Sequence, residues 1–187
     1  MLALSKAHRA DLQALTGLAS RDLSLIWREF NTAEAARDGL MDVLPRLMAI
    51  YGSAAATLGA DYYDTLRETA AVKGTFTAIP AELPDLGRTE ALARWGVSPL
   101  FKAEPDFASS LTLVTGGMQR IIANADRQTV TLSATQDRES RGWQRVGSGH
   151  TCEFCAMLLG RGAVYSEATA DFESHDHCHC TAEPVFG

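Results

Sequence analysis

The sequence predicts a mainly α protein, a helical body followed by a small α+β zinc-binding C-terminal module. Three observations carry this. Alanine and leucine are abundant while aromatics make up only 7% of the 187 residues, a balance that favours helix over sheet. Apolar residues recur at three- and four-residue steps through most of the first 137 positions, the period of a half-buried helix. That period then stops, and all four cysteines fall between positions 152 and 187. The expected division is therefore 1–137 for the helical body and 138–187 for the module.

The elements follow in order. Leu12, Leu15, Leu18, Ala19, Leu23, Ile26 and Phe30 predict an amphipathic helix from Leu12 to Phe30. Asn31 followed by Glu34 has capping-box spacing and marks a second helix. Leu40, Val43, Leu44, Leu47, Met48 and Tyr51 form the buried side of that helix, and Pro45 should kink or split it. The small residues of 52–60, with Leu58, Tyr62 and Leu66 continuing the stripe, suit either a tight helix–helix contact or an ordinary alanine-rich helix. Lys73 to Gly87, with Pro80 and Pro84, reads as a loop. A short helix through Ala91–Trp95 ends near Gly96. Pro105 suits the first turn of a long helix striped by Phe107, Leu111, Val114, Met118, Ile121, Ile122, Ala125 and Leu132, with Gly116–Gly117 as a soft point. Trp143 to Val146 reads as a short strand.

Composition excludes several function classes. With 46% hydrophobic residues the chain can fill a core and is no disordered tail. A net charge of −6 without a basic block argues against nucleic-acid affinity based on phosphate neutralisation, so no specific nucleic acid is expected as a partner. Lys6, His8, Arg9 and Asp11 interrupt the N-terminal apolar run, and no stretch is long enough to span a bilayer. Neither a signal peptide nor a membrane is expected. The expected compartment is a cytoplasm, where thiols stay reduced and clustered cysteines serve as metal ligands rather than disulfides.

The module carries the chemistry. It reads Cys152-x2-Cys155, nineteen residues, then His175-x2-Cys178-x-Cys180. Two cysteines two residues apart can turn both thiolates toward one ion, and a second pair from a distant segment completes a tetrahedron. A fifty-residue module is also too small to stabilise itself by apolar burial, and a metal is the usual remedy. One structural zinc is the expected cofactor, with Cys152, Cys155, His175, Cys178 and Cys180 as its candidate ligands. Cys152 and Cys155 form the firm pair. The second pair is His175 with Cys178, His175 with Cys180, or Cys178 with Cys180. His177 and His179 remain as surface residues, alternative ligands or supporting donors. A Cys152–Cys155 or Cys178–Cys180 disulfide would be local and fix little.

A catalytic zinc is the sharper alternative, since it would leave one position to water beside a general acid or base. The proline–CxxC and HxE of zinc deaminases are missing, despite His150 and Glu153. Ser148 and His150 lack a nucleophile-elbow context, and no glycine loop cradles a phosphate. No catalytic residue is assigned, and a surplus of protein ligands favours a closed, structural site.

Three segments carry a resemblance: Gly142–Val146, CEFCAMLLGRGAVY at 152–165, and HDHCHC at 175–180 with Pro184, Val185 and Phe186. Here the chain resembles minor capsid proteins related to the F protein of phage Mu, in tailed phages and prophages of actinobacteria. The likeness reaches more loosely into Leu25–Phe30, Tyr51–Ala60 and Asp61–Arg67, so it covers most of the chain. It implies a head-morphogenesis component made in the host cytoplasm and built into the capsid interior near the portal. Its implied partners are the portal protein and capsid or scaffold subunits, with self-association as a further option. The family's CxxC and HxxCxC positions match Cys152, Cys155, His175, Cys178 and Cys180. Many relatives carry added C-terminal toxin or enzyme domains; with seven residues after Cys180, no such activity is expected here. Some relatives are described as capsid maturation proteases, which makes a zinc-dependent hydrolase, protease or nuclease of capsid maturation the alternative function.

Overall fold

The computed structural model describes residues 2–147, 153–163, 165, 172 and 174–187. It is mainly helical, 66% of the chain, with one small two-stranded sheet near the C-terminus. Helix α1 spans Leu2–Trp27 and buries Ser5, His8, Leu12, Thr16, Ala19, Leu23 and Trp27 at three- and four-residue steps. It starts ten residues before the predicted Leu12 because its first two core-facing positions are polar. Phe30, expected inside the helix, lies beyond its end and packs edge-on against Trp27 at 5.8 Å.

Helix α2, Ala33–Leu47, is capped by Thr32, whose hydroxyl accepts from the Ala35 N–H at 3.1 Å. The cap is thus one residue after the predicted Asn31. Pro45 does not split the rod. A single π-helical stretch, Met48–Gly52, follows directly and leads without a break into α3, Ser53–Thr69. Proline removes one backbone donor, and a wide turn is a common way for a helix to absorb such a mismatch. The small-residue segment is a tight contact with the longest helix. A Cβ on Gly59 would stand 2.7 Å from the Asp126 carbonyl oxygen.

Helix α4, Leu86–Gly96, starts inside the segment read as loop, because Asp85 accepts from the Arg88 N–H at 3.1 Å and so nucleates it earlier. A 3-10 turn, Ser98–Phe101, follows. Helix α5, Phe107–Gln136, has Asp106 as its cap, with Ser109 N–H donating at 2.9 Å. Pro105 therefore precedes the cap instead of occupying the first turn. Gly116–Gly117 is no soft point: the helix runs through it, and the bare backbone admits the Leu92 side chain at Gly117.

Strand β1, Ser140–Val146, pairs antiparallel with β2, Thr181–Phe186, Trp143 facing Pro184 and Arg145 facing Ala182. A bulge between Ser140 and Trp143 coincides with Gly142 at φ 112°, a conformation that glycine alone adopts freely. Between the strands lies a short helix, α6, Glu153–Leu159, where a cysteine turn was expected.

Two apolar clusters fill the interior. One joins α1, α2, the start of α3, α4 and α5. The other places Trp143, Ala182 and Phe186 of the hairpin against Tyr63, Leu66, Val130 and Ala134 of α3 and α5. The hairpin thus shares its core with the helices. A buried ion pair, Arg67 Nε to Asp137 Oδ2 at 2.9 Å, ties the end of α3 to the end of α5.

Candidate metal centre

Cys155 projects from α6 and is 2% exposed. It meets a turn, 175–178, closed by the Cys178 N–H donating to the His175 carbonyl at 3.2 Å. Cys155 Sγ lies 3.6 Å from His175 Nε2 and 3.7 Å from Cys178 Sγ, and the three donor atoms all fall within 4.8 Å of one another. A tetrahedral ion bound at about 2.3 Å to sulfur and about 2.0–2.1 Å to nitrogen needs edges of about 3.8 Å between sulfurs and about 3.6 Å between sulfur and nitrogen. The two separations fit those edges.

The histidine is prepared for the same task. His175 Nδ1 lies 2.7 Å from the Asp176 carbonyl oxygen. That oxygen can only accept, so Nδ1 carries a proton and Nε2 is the ring nitrogen turned toward the cysteines, an orientation typical of metal-binding histidines.

Of the five predicted ligands, Cys155, His175 and Cys178 are therefore brought together. Cys180 is buried in the same small cluster and hydrogen-bonds Cys178. That neighbour, helped by the Arg127 charge, holds the Cys178 thiol well below its ordinary range, while Cys178 in turn pushes the Cys180 thiol up. Cys152 lies outside the described residues, as do Ser148 and His150. His177 points away from the donors. It adopts φ +59° and places Nδ1 3.1 Å from Gln119 Oε1, and a Cβ on Gly116 would stand 2.8 Å from its Nε2. His179 is exposed.

What holds this turn is α5. Along one helix face, Gly116 admits His177, Arg120 Nε pairs with Asp176 Oδ1 at 2.7 Å, and Asn124 Oδ1 accepts from Ser174 at 2.9 Å. One turn further, Arg127 donates to the carbonyls of Cys178 and Cys180. Steps of three and four residues put all these groups on one stripe.

A second polar cluster was not anticipated. His8 Nε2 lies 2.9 Å from Asp126 Oδ1, and the His8 ring stacks on Tyr62 at 3.8 Å. Tyr62 and Gln144 donate to the buried Glu183 carboxylate at 3.1 and 2.9 Å, and Ser5 donates to it as well. Its signal was present in the sequence. His8 stands four residues before Leu12, and Asp126 four residues from both Ile122 and Val130, so each is an ionisable group on an apolar stripe.

Fold and donors together define a mainly helical protein with a cysteine–histidine metal-site candidate seated on its longest helix. The chain belongs to the VG15 family, whose model, described as VG15 protein, matches residues 3–187. It is 29% identical over 171 residues to the Gene 15 protein of Mycobacterium phage D29, an alignment covering 82% of this chain. The match spans 57% of that protein's length. No solved structure matches the chain. Family and relative support a phage protein. They do not reach the narrower likeness to the Mu F-related minor capsid proteins. No helix among the described residues is long and apolar enough to cross a membrane.

Proposed function

We propose that this chain is a structural and assembly component of a phage head, a portal-associated minor capsid protein whose C-terminal module is held by one structural zinc. The family match supports the phage setting. The observation that carries the structural reading of the metal is the spacing of Cys155, His175 and Cys178, which suits a tetrahedral ion, in a turn clamped along its length by α5. On this reading residues 1–137 form the docking body, and 138–187 form a stiff module that the metal fastens to it. Zinc would supply fold stability and no chemistry, with the fourth ligand coming from Cys152 or Cys180.

The partners are the portal protein and capsid or scaffold subunits, met in the host cytoplasm, with the final location inside the capsid near the portal. Co-expression with the portal protein of the same phage, followed by pull-down with and without a chelator, tests partner and metal together. Co-purification that a chelator abolishes is the expected result. Failure to co-purify under either condition would contradict the portal assignment. An open site with three protein ligands and water would instead favour the maturation-enzyme alternative.

A further inference from the structure

Arg127 is fully buried, at 0% exposure. Its Nε donates to the Cys180 carbonyl at 2.8 Å, its Nη2 to the Cys178 carbonyl at 2.6 Å, and its Nη1 to Asn124 Oδ1 at 2.8 Å. Every one of these acceptors is neutral. Among the described residues no carboxylate lies within ion-pair distance of it, and the adjacent Asp126 is engaged by His8 on another side of the helix. The ring of Phe172 lies 5.0 Å from the guanidinium, with Arg145, a second cation, 3.7 Å from the same ring.

A guanidinium stays charged in proteins. Taking one out of water is costly unless an anion is near. Neutral carbonyls and one aromatic face do not supply that anion, and a neighbouring arginine aggravates the need. Among the described residues the remaining candidate is the cysteine cluster whose backbone Arg127 grips. A dication with two thiolates and two histidines is neutral. With three thiolates and one histidine the centre carries one negative charge.

We infer that Arg127 is the buried counter-charge and positioning residue of an anionic metal–thiolate centre, one that binds its ion through at least three cysteines together with His175. This rests on the metal reading above and adds the charge and composition of the site. The forked side chain does two jobs. It fixes the carbonyls on either side of His179, so that Cys178 and Cys180 are presented in register, and it balances the charge that a third thiolate brings.

The test compares the wild-type chain with Arg127→Gln and Arg127→Lys. Glutamine keeps N–H donors for the carbonyls without charge, whereas lysine keeps the charge without the fork. Zinc affinity is read by competition with a chromophoric chelator, and the thiolate number by charge-transfer absorption of the cobalt-substituted protein. Arg127→Gln should weaken zinc binding about ten- to a hundredfold, the usual range for groups that support metal ligands. Arg127→Lys should recover most of that loss, and wild-type cobalt spectra should show three or more thiolates. Arg127→Gln binding as tightly as wild type, or Arg127→Lys as weakly as Arg127→Gln, overturns the counter-charge role. Two thiolates in the wild-type spectrum overturn it even if neither variant folds. A wild-type chain that binds no metal defeats the metal reading itself, before any variant is made.

Discussion

His8 of α1 and Asp126 of α5 face each other at 2.9 Å, with side chains 3% and 0% exposed. The two polar atoms meet at contact distance without the alignment of a hydrogen bond. It binds the first helix to the longest one, and the Tyr62 ring stacked on His8 extends the link to α3 and, through Glu183, to β2.

Removing one of the two leaves the polar atoms of the other buried without that neighbour. His8→Leu should therefore destabilise the fold by about 1–3 kcal/mol, and the double variant His8→Leu/Asp126→Leu should recover part of it. A denaturant-unfolding cycle on the four proteins checks this. A double variant whose loss equals the sum of the single losses would show that the two residues act independently.

Alkaline stability should depend on Tyr62 and Tyr63. Burial, aided by Glu183 beside Tyr62 and Asp137 beside Tyr63, pushes both phenols well above the ordinary value of about 10. The folded state then holds protons that the unfolded chain releases. Their contribution is fully present below about pH 10 and is lost as pH rises beyond it. Of the four tyrosines, these two should ionise only as circular dichroism reports unfolding. Ionisation of all four near pH 10 in a folded protein would be the contrary result.

The glycines separate close contact from mere flexibility. A Cβ on Gly59 meets the Asp126 backbone at 2.7 Å, while one on Gly17, at an exposed α1 position, meets nothing within 4 Å. Gly59→Ala should force α3 from α5 and cost about 1–3 kcal/mol. Gly17→Ala should stabilise by about 0.5–1 kcal/mol through helix propensity. Thermal melts of the two variants should shift in opposite directions.

Much of this was legible in the sequence, for stated reasons. The stripes of α2, α3 and α5 are long and apolar, so periodicity alone located them. Helix starts were misplaced by a residue or two where neighbouring signals compete: Thr32 caps where Asn31 was expected to, and the Asp106 cap leaves Pro105, expected in the first turn, outside the helix. The first turns of α1 were hidden because Ser5 and His8 sit where apolar residues would have continued the pattern. At the metal-site candidate, spacing singled out Cys155, His175 and Cys178, which the fold brings within 4.8 Å of one another. It could not reveal that α5 carries the support, because Gly116, Arg120, Asn124 and Arg127 hold partners fifty or more residues away in sequence.

Metal content is the most direct test of the central claim, that a zinc ion fastens the C-terminal module to the helical body. Protein purified without chelators and measured by elemental analysis should hold about one zinc per chain, and Cys155→Ser/Cys178→Ser should hold none and lose the packing of Trp143 seen by fluorescence. A folded wild-type chain that contains no zinc and takes up none when it is supplied would contradict the account.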